Sequence, residues 1–597
     1  MPVPLAVPRQ HRSVSALLTA SLLFSRPALA DWPNDPLANL PVCTAANQQN
    51  GGRLVSDGVG GAIIMWSDDR LDGLTYDIYA QHVLASGIVD PAWPAGGRAL
   101  CDTTGTQQSP VIVSDGAGGA IVAWQDGRGT GLAGYDVYAQ HVLANGALDA
   151  AWPHQGRELC TADLDQINVA VVPDGAGGAI VAWQDQRSVA TADDIYAQHV
   201  LASGVVDPHW PADGRALSTA VGPQRFPRIV AGTAGSAIVA WQDGRAGGGT
   251  SDHVYAERVL ANGAVDPTWP ANGRALCAAA GAQVNPVVVA DGEGGGIVSW
   301  SDGRAGTANT DIYAQHVLAG GAVDPAWPAN GQALCSAAAN QVVPAIVEDG
   351  AHGAIVGWVD FRVGTTSDVY AQHVLGNGAV DPAWPTDGRA LCTAPYTQAS
   401  LGMAADAAGG AIVTWMDNRV VGSQDFDVYA QHVTYNGTVD PVWPADGRAL
   451  STVVGEQAAP RVIADGAGGA ICAWTDMRVG SQNGDIYAQR VQANGSLGGS
   501  VGVPRDGPVE LALDAVHPNP WRGGALSLSF SLAGDTPATL DVIDIAGRRI
   551  ASQGIATRGS VRGSATIAQG RPLAPGVYVV SLRQGGAVRT RRFVVLD

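Results

Sequence analysis

Short runs such as PVVVADG, GGIVSW and DIYAQHVLA are apolar and β-branched, and each ends in a turn built from Gly, Asp or Asn. That is the grammar of strands joined by hairpins. No stretch within the pattern carries the 3.6-residue apolar period of a helix, and Pro and Gly interrupt it too often for one to form.

The pattern recurs eight times. Its marker, Trp-x-Asp-x-Arg, stands at Trp66-Asp68-Arg70, Trp124-Asp126-Arg128, Trp183-Asp185-Arg187, Trp241-Asp243-Arg245, Trp300-Asp302-Arg304, Trp358-Asp360-Arg362, Trp415-Asp417-Arg419 and Trp474-Asp476-Arg478, in steps of 57 to 59 residues. Turns like SDGAGG precede each copy, and segments like DIYAQHVLASG and VDPAWPANGRALC follow it. Four strands with short loops use roughly 40 to 46 residues, and the Trp-Pro segment takes up the rest. A four-stranded unit repeated eight times predicts an all-β chain whose main body, residues 31–497, is an eight-bladed β-propeller.

The Trp-Pro pair tests whether the ring closes. It occurs at Trp93, Trp152, Trp210, Trp269, Trp327, Trp384 and Trp443, and the eighth repeat ends at ANGSLGG without one. The missing copy stands near the start, where DWPNDPLANLPVC supplies Trp32-Pro33 and Cys43. The N-terminal segment is therefore expected to complete the last blade and remove the open edges of a linear array. Repeats 4 and 8 also share departures, Ser218 and Ser451 in place of Cys and Arg258 and Arg490 in place of His, as if a four-repeat half had duplicated.

Residues 1–30 read as a secretory leader: Arg9 and Arg12 precede an apolar run, and Ala28-Leu29-Ala30 ends it. No other stretch is apolar for long enough to suggest a transmembrane segment. All 34 basic residues are Arg. From residue 31 to 508 there are 48 acidic residues against 21 arginines, and such a body repels phosphate backbones, which argues against nucleic acid as a partner.

Cys101, Cys160, Cys277, Cys335 and Cys392 each lie eight residues after a Trp-Pro tryptophan, with Cys43 as their N-terminal analogue and Cys472 on a strand. Equivalent positions on neighbouring blades are too far apart to bridge unless they sit close to the axis, so buried free thiols are expected. The six His of YAQH (His82, His141, His199, His316, His373, His432) belong to six blades and read as satisfied strand residues. No cofactor is implied. No Cys or His spacing suggests zinc, and Ca²⁺ at the Asp-rich turns stays an open alternative, although ordinary turn chemistry explains those Asp-Gly pairs without it.

The Trp-x-Asp-x-Arg sets admit two readings. Exposed, they would serve as sugar contacts, with an aromatic plane beside Asp and Arg. Buried, they would be a clamp, with Arg forked between its own Asp and the Asp of the following strand and stacked on the indole. Recurrence in all eight repeats favours the clamp.

From Val509 the repeat stops. Residues 498–508 read as a linker, and residues 509–597 as a small β-sandwich with alternating runs LSLSFSL, ATLDVIDI and VYVVSLR. Pro518-Asn519-Pro520, the strand and turn at Val542 to Ile550, Gly576-Val577-Tyr578 and the closing strand Arg592 to Leu596 resemble the C-terminal sorting domains of type IX secretion cargo and the Ig-like domain of the flagellar hook-capping protein. The resemblance implies export, with the secretion machinery or cell envelope as partner. The expectation is then a secreted or cell-surface binding or structural protein without catalytic activity, its partner a glycan or an extracellular protein. A lectin-like propeller and a polysaccharide hydrolase or lyase are the alternatives, and the hydrolase or lyase requires an asymmetric, partly buried acidic cluster at one end of the axis.

Overall fold

The computed structural model describes residues 32–129, 134–188, 192–247, 251–420, 425–499, 512–517, 526–532, 537–546, 548–555, 561–567 and 573–595. The leader expected at residues 1–30, most of the linker, and Pro518-Asn519-Pro520 lie outside the described residues. The chain divides into two compact units, Met1–Val501 and Gly502–Asp597.

Eight four-stranded antiparallel sheets make up the first unit. In the first blade, Gln49–Ser56 is innermost, followed outward by Ala62–Asp68, Asp77–Val83 and Arg98–Cys101. Every residue of Ala62–Asp68 is buried, because both faces of the sheet are covered by neighbouring blades. That explains why AIIMW is a continuous apolar run instead of an alternating one. Each innermost strand packs against the next in cyclic order, and Gln49–Ser56 of the first blade meets Gln457–Ala464 of the last.

The ring closes as the Trp-Pro count requires. Leu40–Cys43 pairs antiparallel with Asp485–Val491 and so becomes the outermost strand of the sheet that holds Trp474. Trp32 is buried at 2% exposure, and its indole N–H donates to Ala85 O of the first blade at 3.3 Å. It lies on Gly87 (φ +78°), where a Cβ would fall 2.4 Å from the Trp32 backbone nitrogen. Trp93 makes the same arrangement with Gly146 one blade further on. Each Trp-Pro tryptophan thus reaches forward onto the next blade, and Trp32 carries the series from the last blade onto the first.

In the second unit, Ala512–His517, Leu526–Leu532 and Val561–Ile567 form one sheet, while Arg549–Ile555, Ala538–Asp544, Gly576–Gln584 and Ala587–Val595 form another. Leu540, Val580, Leu582 and Phe593 are in its core. The Tyr578 hydroxyl donates to Ala574 O at 2.8 Å, fixing the corner that leads into its strand, a device common in Ig-like sandwiches.

Candidate functional site

The Trp and Asp of the Trp-x-Asp-x-Arg sets are closed to solvent, and the arginines are half-buried. All eight Trp and all eight Asp are 0% exposed. The indole N–H donates to Asp Oδ2 at 2.7–2.9 Å. The arginine forks onto that same carboxylate, with Nε to Oδ1 at 2.8 Å and Nη2 to Oδ2 at 2.5 Å for Arg70 and Asp68. Nη2 also donates to Gly96 O within its own blade and to Cys43 Sγ on the outermost strand of the preceding one. One guanidinium therefore ties two blades together.

Two details differ from the expected clamp. The guanidinium stacks on the tyrosine of the third strand, 3.7–4.0 Å from the ring centroid in all eight blades, and not on the indole. Trp66 and Tyr79 are directly opposed across the hairpin, and the indole is already committed to the Asp, so the second ring is the free surface. Nor does the arginine bridge to the Asp of the following strand: both forks are spent on one carboxylate, and Asp77 stands apart.

All seven cysteines are buried free thiols. Burial pushes Cys43 up to about 11 and Cys101 up to about 12, with the arginine opposing it. In the two repeats with Ser, the arginine finds oxygen instead: Arg245 donates to Ser218 Oγ, and Arg478 to Asn39 Oδ1, which also accepts from Ser451 Oγ. Asn39 belongs to the N-terminal segment, so this exception is part of the ring closure.

The YAQH histidines are likewise internal. His82 sits between Asp90 (Nδ1 to Oδ2, 2.8 Å) and Asp57 (Nε2 to Oδ2, 3.0 Å). Burial alone would lower its pKa, but the two carboxylates outweigh it and hold the ring above its ordinary value. A ring held between two carboxylates does the work of an arginine, which is why Arg490 can replace it and pair with Asp465 at 2.7 Å.

The eightfold equivalence breaks at one end of the ring, where the innermost strands begin. The residue just before the third strand is Tyr76, Tyr135, Asp193, Asp252, Thr310, Ser367, Phe426 and Gly484 in successive blades. In the third and fourth blades this position builds a polar cluster. Asp193 is buried and takes Arg225 Nε at 2.5 Å and Gln186 Nε2 at 3.0 Å. Asp252, also buried, takes Gln242 Nε2 at 2.5 Å on one oxygen, while its other oxygen has no hydrogen-bond partner among the described residues. Phe226, next to Arg225, is 41% exposed and held at φ 56° by a bulge in its strand. A bulky residue at positive φ is strained, and such strain concentrates at functional positions.

Between the first and second blades the same end holds a pocket of about 340 Å³ lined by Asn50, Arg53, Ser67, Tyr76, Gln108 and Ser109. Asn50 Nδ2 donates to the Tyr76 hydroxyl at 3.3 Å. Arg53 also faces a cavity of about 520 Å³ on the axis, lined by the innermost strands of all eight blades.

None of these residues was singled out from the sequence. The signal was available in the positions where near-identical repeats disagree: the residue before each third strand, and the fifth residue of each innermost strand. The invariant Trp-x-Asp-x-Arg marks the scaffold, because what all eight blades share is what all eight need in order to pack.

Residues 515–596 match Por_Secre_tail, the secretion system C-terminal sorting domain. The protein is an exported β-propeller. Its tail directs it through type IX secretion to the cell surface or the extracellular space. No helix among the described residues is long and apolar enough to cross a membrane. No curated protein matches the chain by sequence.

Among solved structures, the chain is similar to an ulvan lyase of polysaccharide lyase family PL25 bound to -[GlcA(1-4)Rha3S]- (TM-score 0.38, 10% identity, covering 79% of this chain and 97% of that one). It is also similar to an α-L-arabinanase of Penicillium chrysogenum complexed with arabinobiose (TM-score 0.35, 13% identity, 57% and 98%). A third is an endo-arabinase of Bacteroides thetaiotaomicron (TM-score 0.26, 13% identity, 44% and 92%). These are likenesses of fold. The expectation of a protein without catalytic activity does not stand beside them, since the propellers in question are arabinanases and a lyase.

Proposed function

We propose that this exported propeller acts on polysaccharide at the end of the ring where the blades differ. The observation that supports the reading is the polar cluster of the third and fourth blades. Unlike residues meet there, with the partly satisfied carboxylate of Asp252 beside the Asp193–Arg225 pair and the strained, exposed ring of Phe226. A sugar stacks on an aromatic plane and orders its hydroxyls on fixed amides and charges, and a carboxylate with a free oxygen is suited to proton transfer at a glycosidic oxygen or a ring carbon. Phe226 is the platform in this reading and Asp252, whose unpartnered oxygen is enclosed until substrate displaces its cover, the acid or base, with Asp193 and Arg225 orienting the substrate. Tyr76, Asn50 and Gln108 offer a second subsite on the same end.

The test is incubation of the secreted protein with a panel of neutral and acidic polysaccharides, following new reducing ends and unsaturated products, with Asp252→Asn and Phe226→Ala beside the native chain. Cleavage lost in Asp252→Asn, and weakened in substrate affinity by Phe226→Ala, supports the reading. Absence of both binding and cleavage across the panel overturns it.

A further inference from the structure

The axial cavity of about 520 Å³ carries a feature that the face does not explain. At one register of the innermost strands, the residue opposite the fourth position of the second strand, three blades carry arginine: Arg53, Arg228 and Arg461. At the same register the other five carry Val111, Ala170, Val287, Ala345 and Gly402. All eight line the cavity. The arginines belong to the first, fourth and eighth blades. The first and eighth adjoin, and in a ring of eight the fourth stands opposite the eighth, so guanidinium groups are presented from two sides while small residues leave the space between them open.

No Asp or Glu among the described residues pairs with these arginines. None of the lining residues is Asp or Glu. Arg228 Nη1 and Arg461 Nη1 donate to the carbonyl of the preceding proline, at 3.4 and 2.9 Å. Within the lumen Arg53 and Arg228 are exposed to water and Arg461 is half-buried. Enclosure by the walls of the lumen, together with Arg461 on the adjoining blade and Arg228 across the lumen, pushes Arg53 down to about 10, and the same enclosure lowers the other two as well. Three like charges held in one lumen repel one another, an arrangement that costs stability unless something of opposite charge enters. In a chain with 54 acidic residues against 34 basic ones, none of the acidic residues lines this cavity.

We propose that the axial cavity is an oxyanion site, binding a carboxylate or sulfate group that is either borne by an acidic sugar or free in solution. The guanidinium fork matches the paired oxygens of either group. The cavity falls in the size range of small-ligand sites. The inference goes beyond the action on polysaccharide proposed for the face and does not depend on it.

Isothermal titration of the secreted protein with sodium sulfate, sodium glucuronate and glucose at low ionic strength tests it, alongside the triple variant Arg53→Val, Arg228→Val, Arg461→Ala. The replacements are residues that other blades already carry at this register, so the ring is expected to fold, and a thermal melt checks that it does. The expected result is binding of at least one anion and none of glucose, weakened at least 100-fold in the triple variant, which melts at the same or a higher temperature in the absence of ligand. Preference for glucuronate identifies an acidic sugar as the source of the group, and equal or better binding of sulfate identifies the free anion. Failure of both anions to bind, or binding that survives in the triple variant, overturns the inference. A protein that ignores every polysaccharide but binds an anion through these arginines keeps this site and loses the reading of the face, and the converse holds.

Discussion

In the fourth blade, His253 Nδ1 lies 2.6 Å from Gln283 Oε1 of the fifth. The seven other blades have Asp where the fourth has His253. Each is followed on the next blade by a buried glutamine, and the amide oxygens of Gln49, Gln107, Gln166, Gln341, Gln398 and Gln457 have no donor among the described residues. The backbone N–H of Gln107 donates to Tyr76 O, as that of Gln283 does to Asp252 O, so Asp77 stands beside Gln107 as His253 stands beside Gln283. The histidine shows what this position supplies, a hydrogen-bond donor, and an aspartate supplies one only when protonated. Burial first, then neighbouring carboxylates, push Asp77 and Asp427 up to about 7 and Asp136, Asp311, Asp368 and Asp485 up to about 6.

A pH dependence follows. A carboxyl whose folded pKa is raised contributes stability that is complete below its unfolded value near 4 and is lost as pH rises through 6 to 7. His82 and His373, also raised, act in the same direction, losing their contribution above the ordinary histidine value. Asp57 and Asp349, lowered by their histidines and turn amides against the opposing effect of burial, lose theirs only below about pH 4. The melting temperature is therefore expected to be higher at pH 5.5 than at pH 8, by calorimetry at constant ionic strength. Asp77→Asn, whose amide donates at every pH, flattens part of the slope. A melting temperature that rises from pH 5.5 to 8 contradicts the assignment.

Ring closure makes Trp32 as important as any tryptophan within the repeats. Trp32→Ala removes a buried indole that joins the last blade to the first, at an expected cost of about 3–5 kcal/mol. Because it also loosens Leu40–Cys43 from Asp485–Val491, two sheet edges become available and the variant is expected to aggregate on heating, whereas the native chain does not. Gly87→Ala should approach the same result from the other side, its Cβ striking the Trp32 backbone. Light scattering during a thermal ramp reports on both.

The architecture was legible in this sequence because closure left an arithmetic trace: seven Trp-Pro pairs in the repeats and one at the front. The clamp was legible in its members but not in its geometry, since a repeated motif identifies which residues pack together without saying which ring the guanidinium covers. Arg53, Arg228 and Arg461 were hidden by a physical feature. A bulge shifts the register of each innermost strand, between Asn50 and Arg53 in the first blade, so counting alternate residues from the buried Gln49 puts Arg53 on the wrong side. Asp252 and Phe226 were hidden by being exceptions in a chain whose regularity draws attention to what repeats.

The thiols are expected to be inert in the folded chain. Cys101, Cys160, Cys335 and Cys392, pushed up to about 12 by burial, hold almost no thiolate at neutral pH. A thiol-reactive probe should modify none of the seven until the protein unfolds, and reducing agent should leave the melting temperature unchanged. Cys101→Ser is expected to cost less than about 1 kcal/mol, since Ser218 already accepts the equivalent arginine at 3.3 Å in the fourth blade.

Strain at the mouth of the ring offers a way to separate function from stability. Phe226 (φ 56°) and Val343 (φ 52°) occupy the same bulge position in the fourth and sixth blades, and both are exposed. The first blade fills that position with Gly51 (φ 71°), the residue this conformation suits. Replacing either side chain by glycine removes the left-handed penalty of about 1–2 kcal/mol and returns part of it through the freer unfolded chain. Val343→Gly and Phe226→Gly are therefore each expected to raise stability by up to about 1 kcal/mol in denaturant melts. Only Phe226 adjoins the Asp193–Arg225 pair, so Phe226→Gly alone should also weaken polysaccharide binding, by about tenfold if one stacked ring is lost. If Phe226→Gly melts higher while binding as tightly as the native chain, the strain at Phe226 is not retained for its ring, and the platform assigned to the fourth blade is wrong.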